Sequence, residues 1–282
     1  MASAGERQAA DVDKDLALLW GVQERPNRGP KPKLSLDKIV SAAVAVADAE
    51  GLEAVSMQRV AADLGYTTMS LYRYVQSKEQ LVVLMADAAL GRAPEPAAGA
   101  DWRQRMEELV GAVMAVYRRR PWLLRIDISG PPMAPMQLTW FDAYLGALAG
   151  TRLSVGERIS TVTFIDGASR ELARIAVQTE TARRRNGVSE AAALDAYGQT
   201  LRRFADPERY PHVAAAVAEG AFDPPPPPPA SGVEEVVGDV EIDASFGLHR
   251  LLDGVESYVR AREGAQARVG QDPADAGGAE GA

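Results

Sequence analysis

The chain has 282 residues, no cysteine and two histidines, and its formal net charge is −8 at pH 7. The lack of cysteine excludes disulfides, thiolate metal sites and cysteine nucleophiles, and two histidines leave little for histidine-based catalysis or zinc. The N-terminal segment is acidic without an apolar core, and no apolar run approaches the roughly 20 residues of a membrane span. We therefore expect a cytoplasmic protein without a membrane partner. Abundant alanine and short β-branched runs favour an all-α fold.

Basic residues are concentrated near the N-terminus. Residues 25–38 hold five basic residues and one acidic residue, whereas residues 24–92 together are nearly neutral and the negative excess lies in the rest of the chain. The segment RPNRGPKPK is too rich in proline to form a helix, so residues 1–33 are predicted to be a flexible basic arm. The arm would reach DNA phosphates or the minor groove, and a solvated leader is the alternative. The run LALLW, Leu16 to Trp20, is predicted to dock on the body as a single turn.

The stretch VAADLGYTTMSLYRYV, Val60 to Val75, predicts a helix, a tight turn and a second helix. Ala61 is small where two helices must cross, Gly65 can adopt the positive φ that closes the first helix, and Leu71 is the apolar plug of the second. This arrangement is that of a helix-turn-helix, which places one helix in the DNA major groove. A helical hairpin without a DNA role would show the same three features.

Capping signals define the helices around this motif. Helices are predicted from about Leu36 to Glu50, from Ser56 to Gly65 and from Lys78 to about Leu90. The stretch GRAPEPAAGAD, residues 91–101, separates a head domain, residues 34–92, from the body. The predicted N-cap residues are Ser35, Ser56, Thr67 or Thr68, and Ser77, the last in an S-x-x-Q capping box with Gln80.

Helix geometry selects the side chains that would face DNA. If Leu71 and Val75 point inward, then Met69, Ser70 and Arg73 point outward. An arginine can bond a guanine, and a methionine can pack on a thymine methyl. The alternative for Arg73 is an ordinary solvated charge, and for Tyr72 a half-buried packing tyrosine. Hydroxyls at the rims suit phosphates, and these belong to Thr67, Thr68, Tyr72 and Tyr74.

Residues 35–91 resemble the DNA-binding domain of the tetracycline-repressor (TetR) family, and the run SLYRYV followed by KEQL carries the resemblance. The resemblance implies an N-terminal three-helix helix-turn-helix domain followed by a larger helical ligand-binding and dimerisation bundle. It implies that Thr67, Thr68, Met69 and Ser70, followed by Arg73, read bases. It further implies phosphate contacts from Ser56, Gln58, Tyr72, Tyr74 and Lys78.

The body, residues 101–263, extends this resemblance. RRRPWLL, GPPMAP and FGLHRLLDGVESYV resemble the C-terminal domain of the tetracycline-repressor subgroup. Residues 102–120 are amphipathic, with Met106, Leu109, Val110, Val113, Met114 and Tyr117 on one face. Further helices are predicted at 139–148, at 189–204 and from about Val155 to Arg184, the last behind a Ser154–Glu157 capping box. Pro207 is expected at a helix N1 position, Pro224 to Gly232 as a polyproline spacer, and 264–282 as a disordered tail.

Aromatic and methionine side chains of the body are candidates for a ligand cavity between helices. By themselves such residues also fit a plain core, and the resemblance to small-molecule sensors favours the cavity. No metal is predicted, and tetracycline and magnesium are not predicted because the two histidines do not match. Polar candidates for orienting a ligand are Arg125, Asp166, Arg170 and Gln178. The apolar candidates are Trp122, Met133, Met136, Trp140, Phe141, Tyr144 and Phe164.

The leading hypothesis is a homodimeric repressor that binds a palindromic double-stranded operator and is released by an unknown small-molecule inducer. Helices 155–184 and 245–263 would form a four-helix dimer interface. An activator or ligand-insensitive regulator of the same fold is one alternative, and a helical small-molecule binder that no longer binds DNA is another. No enzyme and no cofactor are predicted, because no glycine-rich phosphate loop, metal-ligand spacing or serine nucleophile elbow occurs.

Overall fold

The computed structural model describes residues 16–21, 34–127, 130–224 and 239–269, and the side chains of 239–245 and 263–269 are left out. The described residues form helices and connecting loops without strands, which confirms the all-α prediction. No helix among them is long and apolar enough to cross a membrane. The helices are α1 Leu36–Glu50, α2 Met57–Leu64, α3 Thr68–Tyr72, α4 Lys78–Leu90, α5 Trp102–Arg119, α6 Pro135–Ala147, α7 Val155–Asn186, α8 Glu190–Phe204, α9 Pro211–Ala218 and α10 Asp239–Val269.

Side-chain caps begin the helices of the head, as predicted. The hydroxyls of Ser35, Ser56 and Ser77 accept hydrogen bonds from the backbone N–H three residues on, at 3.3, 3.1 and 3.0 Å. Each bond satisfies a donor that the first turn of a helix leaves free. Thr67 occupies the cap position of α3, but its hydroxyl lies 3.0 Å from the Ser70 hydroxyl and bonds no backbone group.

The turn between α2 and α3 depends on Gly65. Its φ of +73° lies in the left-handed region, which a residue with a Cβ adopts only at a cost. Two backbone bonds close α2: Gly65 N–H to the Ala62 carbonyl at 3.0 Å, and Tyr66 N–H to the Ala61 carbonyl at 2.9 Å. This pair is the Schellman arrangement of a helix end. The motif packs on buried Val60, Ala61, Leu71 and Val75, while Leu64 is half-buried.

In the body, α5 buries most of its predicted face, with the difference that Val116 is buried and Met114 only half-buried. A 3₁₀ helix, Pro121–Arg125, follows α5, and α6 begins at Pro135, four residues before the predicted start. The Ser154–Glu157 capping box at the start of α7 is confirmed. The Glu157 carboxylate accepts from the Ser154 N–H at 2.7 Å, and the Ser154 hydroxyl accepts from the Glu157 N–H at 3.3 Å.

The chain divides into two compact units. Residues 1–173 and 244–282 form the first, which therefore holds both the head and α5 and α6. Residues 174–243 form the second, where α8 and α9 lie. Within the second unit the rings of Tyr197 and Phe222 meet edge to face, with centroids 5.4 Å apart.

Two further predicted boundaries are wrong. Pro207 lies in a turn, because the Asp206 carbonyl accepts from both Arg209 and Tyr210, and Pro211 takes the first position of α9 instead. Helix α10 continues to Val269, past the predicted end at residue 263. The predicted basic segment at 22–33, the spacer at 225–232 and the tail at 270–282 lie outside the described residues.

The docking turn near the N-terminus is confirmed. Residues 16–19 are helical, and Leu18 is buried. The indole N–H of Trp20 donates to the Met133 carbonyl at 3.1 Å, so this turn lies on the body next to the loop that precedes α6.

Candidate nucleic-acid interface and ligand site

Helix α3 presents one face to the core and the other to solvent. Leu71 is fully buried, as is Val75 just after the helix, and they hold the helix against α2. On the opposite side Met69 is 72 % exposed, and Tyr72 and Arg73 are exposed as well. The Met69 thioether can pack on a thymine methyl, and the Arg73 guanidinium, which forms no ion pair with a described residue, can bond a guanine. The face therefore has the chemistry of a base-reading surface.

Positive charge near α3 is available to a partner. Arg73 and Lys78 are exposed, and neither forms an ion pair with a described residue. Arg59 differs, because its guanidinium lies 2.6 Å from Glu50 and 3.1 Å from Asp63. Its hydrogen bond to Glu50 is the main cause that raises the Arg59 pKa. Arg59 is thus used inside the head, whereas Arg73 and Lys78 remain free for phosphates or bases.

The predicted phosphate contacts lie at two helix starts. Ser56 caps α2, and Gln58 is exposed in its first turn. The Ser56 hydroxyl uses its oxygen to accept from the Arg59 N–H, so its own proton is left to donate to a phosphate. Lys78 is the first residue of α4. Both starts combine backbone N–H groups with polar side chains, which suits an anion.

Tyr74 is the exception among the predicted phosphate contacts. Its hydroxyl donates to the Leu34 carbonyl at 3.0 Å. A phosphate oxygen at neutral pH accepts hydrogen bonds, and the single proton of this phenol is already used. The geometry therefore disfavours the phosphate role and makes Tyr74 a tie between the end of the motif and the residue that precedes α1.

Three side chains join the head to the body around Asp48 on α1. The Trp122 indole N–H donates to one Asp48 oxygen at 2.7 Å, and the Arg120 guanidinium lies 3.3 Å from the other. Arg120 also donates to the Ala89 carbonyl at the end of α4, at 2.7 Å. Trp122, a predicted ligand contact, thus lies at the junction between head and body.

A second junction connects α4 to α6. One oxygen of Asp87 accepts from the backbone N–H groups of Met136 and Gln137 at 2.9 and 3.2 Å, which are free donors in the first turn of α6. Burial raises the Asp87 pKa above its ordinary value, and these two hydrogen bonds offset only part of that shift. The Trp140 indole N–H donates to the Gly91 carbonyl at 2.9 Å. A movement of the start of α6 would therefore displace α4 or break these hydrogen bonds.

Polar side chains from α5, α6 and α7 meet inside the body. The Arg170 guanidinium donates to the carbonyls of Leu123 and Ile126 at 3.2 and 2.6 Å and lies 5.8 Å from the centre of the Tyr117 ring. Burial, and then the charge of Asp166, raise the pKa values of Tyr117 and Tyr144. Burial also raises the pKa of Asp166, and Arg170 opposes that shift. These four residues, Tyr117, Tyr144, Asp166 and Arg170, are called the inner polar cluster below.

The structure brings together only some of the predicted ligand contacts. Tyr144 and Arg170 belong to the inner polar cluster, and the Trp140 ring lies beside Tyr144 with centroids 6.3 Å apart. Phe164 is 64 % exposed and Met133 is also exposed, so neither is buried with the cluster. Met136 and Phe141 are half-buried, Arg125 pairs with Glu53 at 2.7 Å, and Gln178 lies in the second unit.

Tyr117 belongs to the inner polar cluster, but the sequence predicted only that it lies on the inner face of α5 and did not identify it as a ligand contact. Its helical spacing with Val110 and Val113 indicated burial but carried no sign of a polar role. Among the described residues no group of histidine, aspartate and glutamate side chains is arranged to hold a metal ion.

Comparisons with known proteins agree with this geometry. Residues 39–85 match the family model of bacterial regulatory proteins of the tetR family, and residues 95–223 match the tetracyclin repressor-like C-terminal domain. The HTH-type transcriptional repressor DrrR1 of Streptomyces coeruleorubidus is 38 % identical over 92 % of this chain and 91 % of its own. The class E tetracycline repressor protein of Escherichia coli is 29 % identical over 45 % of this chain and 61 % of its own.

Solved structures show the same fold. The Streptomyces coelicolor TetR family protein ActR, in complex with actinorhodin, superposes with a TM-score of 0.64 at 21 % identity, over 80 % of this chain and 97 % of ActR. The relation to DrrR1 spans nearly the whole chain, and the two family models cover both the head and most of the body. The chain therefore belongs to the TetR family and is a DNA-binding transcriptional regulator.

Proposed function

We propose that the protein is a homodimeric repressor that binds a palindromic operator and leaves it when a small molecule binds the body. The observation that carries this proposal is the outward face of α3, where Met69, Tyr72 and Arg73 are exposed on a helix held by buried Leu71. The relative DrrR1, which is related over nearly its full length, is a transcriptional repressor and supports the sign of regulation.

The side chains of the interface take separate roles. Arg73 and Met69 read base edges, helped by Thr67, Thr68 and Ser70. Ser56, Gln58, Tyr72 and Lys78 contact phosphates on either side and fix the register of the head on the duplex. Tyr74 acts indirectly, because its bond to Leu34 sets the path of the chain into the head.

A dimer is needed because one head buries little surface and reads few bases. Large apolar side chains on α7 and α10 are exposed in the single chain, among them Ile159, Phe164 and Phe246. Pairing α7 and α10 with their copies would cover these side chains in a four-helix interface. Two-fold symmetry then requires a palindromic operator with half-sites roughly 34–36 Å apart, or a multiple of that spacing.

Ligand release is supported by the inner polar cluster and by the two junctions. ActR was solved with a small molecule, actinorhodin, which shows that a relative of this fold accepts one. The junctions at Asp48 and Asp87 connect α6 and the 3₁₀ helix to α1 and α4. A ligand that favours one arrangement of the body would then shift the population of head positions away from the operator.

Selection of bound DNA from a random pool tests the proposal. The expected result is a palindrome whose half-sites have the stated spacing, and a reporter placed behind that palindrome should be silenced by the protein. Enrichment of a single, non-repeated site would contradict the dimer. Activation of the reporter would contradict repression, and the absence of any enriched sequence would contradict DNA recognition.

A further inference from the structure

Tyr144 carries a polar group that the fold does not use. Its side chain is 2 % exposed, and its hydroxyl has no hydrogen-bond partner among the described residues. Leaving a buried hydroxyl without a hydrogen-bond partner is costly, so native structures rarely keep one without a reason. The guanidinium beside it is used, because Arg170 donates to two backbone carbonyls and lies against the Tyr117 ring.

Asp166 is the second unused group of the inner polar cluster. It lies four residues before Arg170 on α7, yet within the described part of the chain its carboxyl forms neither an ion pair nor a hydrogen bond. Its negative charge reaches both tyrosines, since it raises the pKa values of Tyr117 and Tyr144. Two groups without a hydrogen-bond partner among the described residues, one on α6 and one on α7, thus belong to the inner polar cluster, beside the rings of Trp140 and Tyr117.

We propose that the Tyr144 hydroxyl and the Asp166 carboxylate are the polar anchor of the ligand site, and that they bind an uncharged aromatic compound through a hydroxyl group. This inference rests on the proposed function, because it specifies the ligand that releases the repressor. One ligand hydroxyl can satisfy both groups, because it can donate to Asp166 and accept from Tyr144 at the same time.

The hydrogen-bonding capacity of the anchor selects a hydroxyl over an ammonium. The carboxylate only accepts, and the protonated phenol of Tyr144 has a proton to donate. An ammonium has no lone pair, so it would leave that proton unpaired. It would also lie near the positive charge of Arg170, which the backbone carbonyls do not neutralise.

The aromatic part of the ligand is selected by the side chains beside the anchor. The Trp140 and Tyr144 rings are 6.3 Å apart and tilted by 41°, and the Tyr117 ring lies against the Arg170 guanidinium. Offset or tilted contacts between aromatic rings contribute binding energy beyond the apolar area that they bury. A flat ring system that carries the hydroxyl therefore fits better than an aliphatic alcohol.

Isothermal titration calorimetry on the full chain with three naphthyl probes tests the anchor. The probes are 2-naphthol, 2-methoxynaphthalene, which lacks the donor, and 2-naphthylmethylamine, which is cationic at pH 7. We expect 2-naphthol to bind about tenfold more tightly than either of the others, as the loss of one or two hydrogen bonds predicts.

Variants then locate the effect. Tyr144→Phe and Asp166→Asn should each weaken 2-naphthol binding roughly five- to tenfold. Asp166→Asn should leave 2-methoxynaphthalene binding unchanged, because the ether has no proton to donate, whereas Tyr144→Phe should weaken it as well, because the ether oxygen can accept from the phenol. Matched controls are Asp142→Asn, an exposed aspartate on α6, and Tyr197→Phe, an exposed tyrosine in the second unit, and both should bind all probes like the wild type. A circular dichroism melt of each variant shows whether it is folded.

Three outcomes overturn the proposal: wild-type affinity for 2-naphthol in both anchor variants, tighter binding of the amine than of the naphthol, or no binding of any probe at millimolar concentration. Gel mobility shifts with the selected palindrome, run without probe, report the DNA function separately. A chain that binds the palindrome but fails the probe experiment refutes the anchor alone. A chain that binds no DNA refutes the proposed function.

Discussion

At the scale of single residues, Arg73 provides the most direct test of the proposal that α3 reads bases. It is exposed next to Tyr72 and forms no ion pair with a described residue, so its five donors are available to a guanine. Replacing it by alanine should weaken specific operator binding by about 1–3 kcal/mol and leave the dimer intact. A fluorescence anisotropy titration with operator and scrambled DNA measures the effect.

Arg92→Ala is the matched control for charge, because Arg92 is exposed beyond the end of α4 and pairs with Glu95. It should lower binding to both DNAs only slightly. Unchanged operator affinity in Arg73→Ala would refute the recognition-helix assignment. An equal loss on scrambled DNA would reduce Arg73 to a phosphate contact.

We expect Tyr74 to contribute to the stability of the fold and Tyr72, two residues before it, to contribute to DNA binding. Tyr74→Phe removes the bond to the Leu34 carbonyl and should lower the free energy of unfolding by about 0.5–1.5 kcal/mol. Tyr72→Phe removes an exposed hydroxyl and should lower DNA affinity without a change in stability. Urea unfolding and operator titrations of both variants measure the difference, and identical behaviour of the two variants would contradict these roles.

At the scale of elements, Gly65 determines how α2 and α3 cross. Its φ is +73°, and a Cβ there would meet no atom within 4 Å, so the cost of a side chain is conformational. Gly65→Ala should therefore lower the free energy of unfolding by about 1 kcal/mol. Gly111→Ala, in the middle of α5 and equally open, should raise it by roughly 0.5–1 kcal/mol. Thermal unfolding of both variants tests the contrast, and stabilisation of both would show that Gly65 is not needed for the turn.

Local signals of this kind are what the sequence could predict. The caps at Ser35 and Ser56 and the glycine at Gly65 act within a few residues, so their patterns are visible in the chain order. The wrong prediction for Pro207 shows that local signals can be ambiguous, because a proline in a turn and a proline at helix position N1 have the same φ. In the structure the Asp206 carbonyl accepts the hydrogen bonds that close a turn at this position.

Contacts between distant residues could not be predicted in the same way. Tyr74 and Leu34 are 40 residues apart, and Asp48 and Trp122 are 74 apart. Both contacts depend on how helices pack, which apolar periodicity does not specify. For that reason the sequence identified Trp122 as a ligand contact, and it missed Tyr117 as a partner of Arg170. Aromatic residues of a helical bundle look alike in sequence whether they line a junction, a core or a site.

The contact between α7 and α10 depends on pH through Glu157. Its carboxylate accepts from the Tyr258 hydroxyl at 2.6 Å and from Arg262 at 2.7 Å. The Tyr258 bond, followed by the bonds from Ser154, lowers the Glu157 pKa from 4.5 to about 2. A carboxyl with a lowered pKa in the folded state stabilises the protein above its unfolded pKa and loses that effect as the pH falls through the folded one.

Glu157→Gln should therefore be less stable than the wild type above pH 4.5, and the difference should vanish as the pH falls to about 2. Thermal unfolding of both proteins across this range measures the difference. Glu208→Gln, an exposed glutamate in the turn before α9, should show no such convergence. A constant difference between Glu157→Gln and the wild type at all pH values would contradict the role of ionisation.

At the scale of the whole molecule, the proposed function makes operator binding depend on a second copy of the chain. Phe164 on α7 is 64 % exposed and Phe246 on α10 is exposed as well, so water covers large apolar area unless another chain does. Two heads joined by a dimer bind a palindrome far more tightly than one head does, because the second contact becomes intramolecular.

Phe164→Asp places a charge where the proposed interface would bury it, and it should yield a monomer that binds the operator at least tenfold more weakly. Light scattering after size exclusion at micromolar concentration gives the mass, and anisotropy gives the affinity. Phe204→Asp is the matched control, since Phe204 is 67 % exposed on α8, a helix outside the proposed interface. It should remain a dimer with wild-type affinity. A wild-type monomer at this concentration would contradict the proposed dimer. Dimers in both variants would instead place the dimer interface away from Phe164, because a phenylalanine that tolerates a charge is not buried by a partner chain.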